Sequence, residues 1–139
     1  MVDQNCAYCM EGELVAKFGI KICELETSKV YLFKEQSHPG RCIVAHKKHV
    51  GDMNELTAEE RAAYFEDVAR VARAIMKAFN PDKVNYGAYG DTGHHLHFHL
   101  CPKYKDEYEW GGVFLMNPDK KYLTDEEYDA MIEKIKANL

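Results

Sequence analysis

The stretch Gly93-His94-His95-Leu96-His97-Phe98-His99-Leu100-Cys101-Pro102 constrains this chain more than any other. His95, His97 and His99 alternate with Leu96, Phe98 and Leu100, and a β-strand sends such alternate residues to opposite faces. The strand is expected to bury its apolar residues in a core and to line a pocket with imidazoles. Adjacent histidines on one face of a strand lie roughly 7 Å apart and the outer pair roughly 13 Å apart, so one ion cannot be gripped by all three. The row is therefore expected to divide its labour. A lone histidine on a strand is ordinarily structural; three in strict alternation, after the glycine-bearing loop Tyr86-Gly87-Ala88-Tyr89-Gly90-Asp91-Thr92-Gly93, point to a use.

Around this stretch the chain reads as α+β: an antiparallel meander sheet of about five strands with two packed helices. Ile20–Leu25, Lys29–Phe33, Arg41–His46 and Lys83–Tyr86 are rich in strand formers, the first three separated by short turns. Leu14–Phe18 is ambiguous. Thr57-Ala58-Glu59-Glu60 is a capping box that opens a helix running to Phe79, with Phe65, Val68, Val71, Ala72, Ile75, Met76 and Phe79 as its apolar stripe. Thr124-Asp125-Glu126-Glu127 is a second capping box, and Tyr128, Met131, Ile132, Ile135 and Leu139 form one face of the helix that follows. Lys103–Gly112 is polar and aromatic, an expected exposed loop near the pocket mouth. Residues 1–139 read as a single domain without repeats or linkers.

The net charge of −5 argues against a nucleic-acid polymer or an anionic membrane as partner. Locally the balance differs, because Arg41, Lys47 and Lys48 fall among His38, His46 and His49, and that suits a small anionic ligand. No apolar run approaches the ~20 residues of a membrane span. Met1-Val2-Asp3-Gln4-Asn5 lacks signal-peptide character, so a cytoplasmic location is expected. Five cysteines, an odd number, do not describe a disulfide framework. Cys23, Cys42 and Cys101 sit in apolar surroundings as small core residues. Cys6-Ala7-Tyr8-Cys9 is a C-x-x-C pair outside any βαβ context, which fits half of a tetrahedral zinc knuckle better than a redox motif.

The run His95-Leu96-His97-Phe98-His99-Leu100-Cys101, followed by Pro102, resembles the signature of the histidine-triad (HIT) superfamily, and the similarity extends from Cys6 to about Pro102. The resemblance implies nucleotide hydrolysis or nucleotidyl transfer on a phosphoramidate, a dinucleoside polyphosphate or a related nucleotide, with the middle histidine, His97, as nucleophile. A neutral imidazole can attack phosphorus to form a covalent phosphoramidate that water later resolves. His99 is then expected to bind phosphate or shuttle a proton, Thr92 to contact phosphate, and Asn85 to serve as the pocket asparagine. Bacterial relatives with an N-terminal C-x-x-C further imply a structural zinc on Cys6, Cys9, His49 and His95, with His46 as a rival for the third position. A homodimer is also implied, and Tyr64 is an extra apolar residue compatible with a partner face.

Three positions depart from the superfamily pattern. Gly40-Arg41 stands where relatives usually carry Gly-His, and Arg41 is expected to bind phosphate as a bidentate ligand. Asp91 precedes Thr92 where a glutamine is usual. Glu35 is at best a shifted match to the acid that contacts ribose. These departures keep open a non-catalytic nucleotide-binding or partner-binding module as the alternative. A cupin-like H-x-H metal site would need a downstream glutamate, which Leu100-Cys101-Pro102-Lys103-Tyr104 does not offer.

Overall fold

Antiparallel pairing joins five short strands into one sheet: β1 Gly19–Glu24, β2 Ser28–Phe33, β3 Cys42–His46, β4 Lys83–Gly87 and β5 His97–Lys103. The computed structural model describes residues 3–139; Met1 and Val2, the first two residues of the N-terminal stretch without signal-peptide character, lie outside them. The spatial order is β1-β2-β3-β5-β4, so the histidine strand is interior and β4 is an edge. The helices are α1 Ala7–Met10, α2 Gly12–Ala16, α3 Ala58–Phe79 and α4 Asp125–Ala137, with a 3₁₀ turn at Met53–Glu55. The antiparallel five-stranded α+β sheet matches the expectation, with β5 lying between β3 and β4 where an unbroken meander would put it at the edge, and Leu14–Ala16 of the ambiguous segment belong to α2.

The register decides which side chains meet. Ile43 lies opposite His99 and Ala45 opposite His97, so these four share a face with Tyr31, the partner of Ile43 on β2. Tyr8, Val15, Tyr31, Phe33, Ile43 and Ala45 form one apolar cluster there, beneath the N-terminal helices. On the opposite face, Val30, Leu32, Val44 and Leu100 pack with Val68, Val71 and Ile75 of α3 and Ile132 and Ile135 of α4. Every residue of β3 is buried because both of its faces are covered.

Both capping boxes form as read: Thr57 accepts from the Glu60 amide and Thr124 from the Glu127 amide. The stripe of α3 differs from expectation. Phe65 and Met76 are 38% and 41% exposed, whereas Tyr64 and Asp67 are buried. Polar tips explain the rotation. Tyr64 Oη donates to the Val44 carbonyl at 2.7 Å, and Asp67 accepts from the Thr27 amide at 2.9 Å and from Ser28 Oγ at 2.9 Å. Tyr64 is thus a core residue of its own domain, not a surface waiting for a partner. Among the described residues no helix is long and apolar enough to cross a membrane.

Candidate active site and metal centre

Only the second half of the histidine row is strand. His95 sits in the bend before β5, yet its carbonyl and ring remain on the same side as His97 and His99, and all three line one cavity of about 810 Å³. The N-terminal segment and the loop from Tyr89 to His94 form its walls, and Met116 and Asn117 close the far side. Thr92 and Asp91 lie in that loop and line the cavity. Close approach is needed where the loop leaves β4: a Cβ on Gly87 would come within 2.8 Å of Phe114 and of Tyr89.

Backbone carbonyls fix the histidine tautomers, since a carbonyl can only accept. His97 Nδ1 donates to the His95 carbonyl at 2.6 Å, which leaves the lone pair on Nε2. Burial lowers the pKa of His97, and the neutral ring is the form that can act as a nucleophile. His95 Nε2 donates to the His46 carbonyl at 2.6 Å, so its Nδ1 is the free ligand atom. His99 is pushed down to about 3, by burial and then by the adjacent Arg41 guanidinium.

The two cysteines of the knuckle meet two imidazoles. Ligand atoms of Cys6, Cys9, His49 and His95 all lie within 4.8 Å of one another. Cys6 Sγ is 3.3 Å from His95 Nδ1, Cys9 Sγ is 3.2 Å from His49 Nδ1, and the two Nδ1 atoms are 3.1 Å apart. The edges of a tetrahedral zinc site with nitrogen and sulfur ligands are roughly 3.3–3.8 Å, so this donor set fits such an ion. The rival His46 is elsewhere: its Nδ1 accepts from the Lys48 amide at 2.9 Å and its ring packs against Tyr64.

Several expected site residues do not reach the cavity. Asn85 pairs with Cys101 on the edge strand, two residues beyond the Gly87–His99 pair, and is not part of the lining. Glu35 is buried and accepts from the Ser37 and Lys121 amides, at 3.1 and 2.7 Å, so it serves loop structure and not a ribose. Arg41 is fully buried behind His99, where Nη2 donates to His99 Nδ1 at 3.1 Å and Nη1 donates to the Leu115 carbonyl at 2.9 Å. Its guanidinium lies over Phe33 and Phe114 at 4.3 and 4.9 Å from the ring centroids. The Lys103–Gly112 segment is not the pocket mouth either; buried Lys103 ties it down by donating to the Glu109 and Gly112 carbonyls.

One feature carried no usable sequence signal, and a second departs from the basic surroundings expected from Arg41, Lys47 and Lys48. Tyr8, inside the C-x-x-C, lays its ring over His95 and His97 at centroid distances of 5.3 and 5.0 Å. The cavity lining contains no Lys or Arg among the described residues, so apart from its cysteines and histidines the formally charged side chains of the lining are Asp3 and Asp91.

A five-stranded antiparallel sheet carrying a histidine row beside a Cys₂His₂ cluster defines a fold and a site together. Residues 19–106 match the family model of the HIT domain, and the chain belongs to that family. It is 26% identical to the adenosine 5'-monophosphoramidase hnt1 of Schizosaccharomyces pombe over 97% of this chain and 98% of that protein. It is 28% identical to the bis(5'-adenosyl)-triphosphatase of Dictyostelium discoideum over 51% of each chain. The solved structure of a histidine triad protein from Sinorhizobium meliloti superposes with a TM-score of 0.84 at 24% identity, covering 92% of this chain and 95% of that one.

Proposed function

We propose that the protein is a nucleotide hydrolase or nucleotidyl transferase that works through a covalent nucleotidyl-His97 intermediate. The observation that carries this reading is the Nδ1–H bond from His97 to the His95 carbonyl, which leaves an unprotonated Nε2 in a cavity large enough for a nucleotide. The names of the relatives, a monophosphoramidase and a dinucleoside triphosphatase, support the reaction class. His97 attacks phosphorus, the leaving group departs, and water then cleaves the N–P bond. His99 beside it donates a hydrogen bond to the reacting phosphate, and Thr92 at the cavity rim offers a hydroxyl to the same group.

Cys6, Cys9, His49 and His95 are proposed to hold a structural zinc ion. The ion would tie the N-terminal segment to the start of β5 and fix the His95 carbonyl that orients His97. A homodimer, in turn, would cover the edge strand β4 with the exposed Tyr86 and Met76 beside it.

Intact-protein mass spectrometry after a rapid acid-free quench tests the catalytic reading. With adenosine or guanosine phosphoramidates and dinucleoside polyphosphates, the wild type is expected to gain one nucleotidyl mass and His97→Ala none. Binding without adduct or product in either protein would leave a nucleotide-binding module as the function.

A further inference from the structure

The position of Arg41 bears on which substrates the site can cleave. Arginine has donors only, so the 3.1 Å contact from its Nη2 obliges His99 Nδ1 to present a lone pair. A neutral His99 then carries its proton on Nε2. Protonating Nδ1 as well would set N–H against N–H beside a fixed positive charge. Among the described residues no carboxylate forms an ion pair with Arg41: Glu109 pairs with His38 and Glu35 with Ser37, both favouring the charged guanidinium from farther off, and the cation rests on Phe33, Phe114 and the Leu115 carbonyl. Arg41 and His99 are 0% and 3% exposed, so solvent does little to screen one from the other. The low pKa of His99 is consistent with this arrangement.

We propose that Arg41 is a positioning and specificity-determining residue, holding His99 as a neutral Nε2–H donor and restricting the site to substrates whose leaving group departs as an anion: nucleoside phosphoanhydrides in preference to phosphoramidates. This rests on the covalent His97 reading and deepens it. With an anhydride, the His97 Nε2 lone pair forms the N–P bond while the bridging P–O bond breaks, its electron pair leaving on the departing phosphate. No proton has to move in that step. The Nε2–H of His99 stabilises charge on phosphate by hydrogen bonding. Water then attacks phosphorus, the N–P bond returns its pair to His97, and the water proton is released with the product. A phosphoramidate is different, because an amide anion is too basic to leave and the nitrogen must first gain a proton. His99 could supply one only by becoming an imidazolate.

The test uses the full chain, with adenosine 5'-phosphoramidate and diadenosine triphosphate as substrates that share one transferred adenylyl group. The expected wild-type kcat/KM favours the anhydride by roughly a hundredfold, the lower range of what a positioned proton donor contributes. Ring ¹⁵N shifts should report His99 in wild type as a single Nε2–H tautomer. In Arg41→Met, a second tautomer or the protonated ring should appear and the substrate ratio should fall at least about tenfold. Equal or better turnover of the phosphoramidate by wild type overturns the restriction, as does an unchanged tautomer and ratio in Arg41→Met. Should that variant fail to fold, the wild-type ratio and tautomer decide the matter alone. Turnover of neither substrate would remove the covalent reading and the restriction with it, whereas a reversed preference in an active enzyme removes the restriction only.

Discussion

Asp67 illustrates what a single buried side chain does here. It lies on α3, 7% exposed, and accepts from the Thr27 amide, Thr27 Oγ1 and Ser28 Oγ at 2.9, 2.7 and 2.9 Å. One carboxylate thereby pins the β1–β2 turn to the long helix. Asp67→Ala would leave those donors unpaired in a site with little water, at about 3 kcal/mol, since each unmet buried donor costs roughly 1–3 kcal/mol. Urea denaturation should show that loss, and a change under about 0.5 kcal/mol would mean the turn holds without it. At this scale the sequence is least legible. Asp67 looks like surface charge on a helix, Arg41 like a phosphate ligand, and Glu35 like a displaced ribose contact. Residue identity reveals chemistry, but which way each of these points depends on neighbours far along the chain, such as Leu115 for Arg41 and Lys121 for Glu35.

Elements were far easier to read. A period of two is short enough to survive irregularity, so His95 keeps its face although β5 begins only at His97. The two capping boxes are equally local, needing four residues each. The phase of α3 was the exception, because hydrophobicity alone ranks Phe65 above Tyr64 while the hydroxyl of Tyr64 has a buried carbonyl to meet. Helix α1 belongs to this scale as well. Four residues cannot hold a helix unaided, so Ala7–Met10 depends on what surrounds it. If Cys6 and Cys9 hold zinc, stripping the ion with a strong chelator should lower Tm by roughly 10 °C, equivalent to a few kcal/mol for a chain of this size. Cys9→Ser should reproduce the shift without chelator. Protein purified under mild conditions with no bound zinc, and a Tm indifferent to chelation, would dispose of the site.

The molecule as a whole stores neutral imidazole in its interior, and acid should expose this. His99 has a folded pKa near 3 against an ordinary value of about 6.5. Because folding lowers the pKa, protonation favours the unfolded chain: the stability of this group is intact above about 6.5 and is lost as pH falls from there toward 3. Between pH 6 and 4 the wild type should therefore lose up to about 1.4 kcal/mol per pH unit relative to His99→Gln, read as urea midpoints for both proteins at each pH. Parallel curves would mean that His99 titrates alike in both states. At this scale the α+β class and the Cys/His grouping were visible in spacing and in resemblance, whereas the insertion of β5 between β3 and β4 does not follow from chain order. The cavity's far wall was not, since Met116 and Asn117 arrive from a stretch with neither period nor cap.

The histidine strand is hydrogen-bonded on both sides, by β3 and by β4, while the cavity's walls are supplied by the N-terminal segment, the 89–94 loop and the irregular stretch around Asn117. The histidine row and the cavity's walls are thus built from parts of very different mutational tolerance. Descendants of such a chain can reshape the cavity by drifting in the loops, with the histidine row inherited intact.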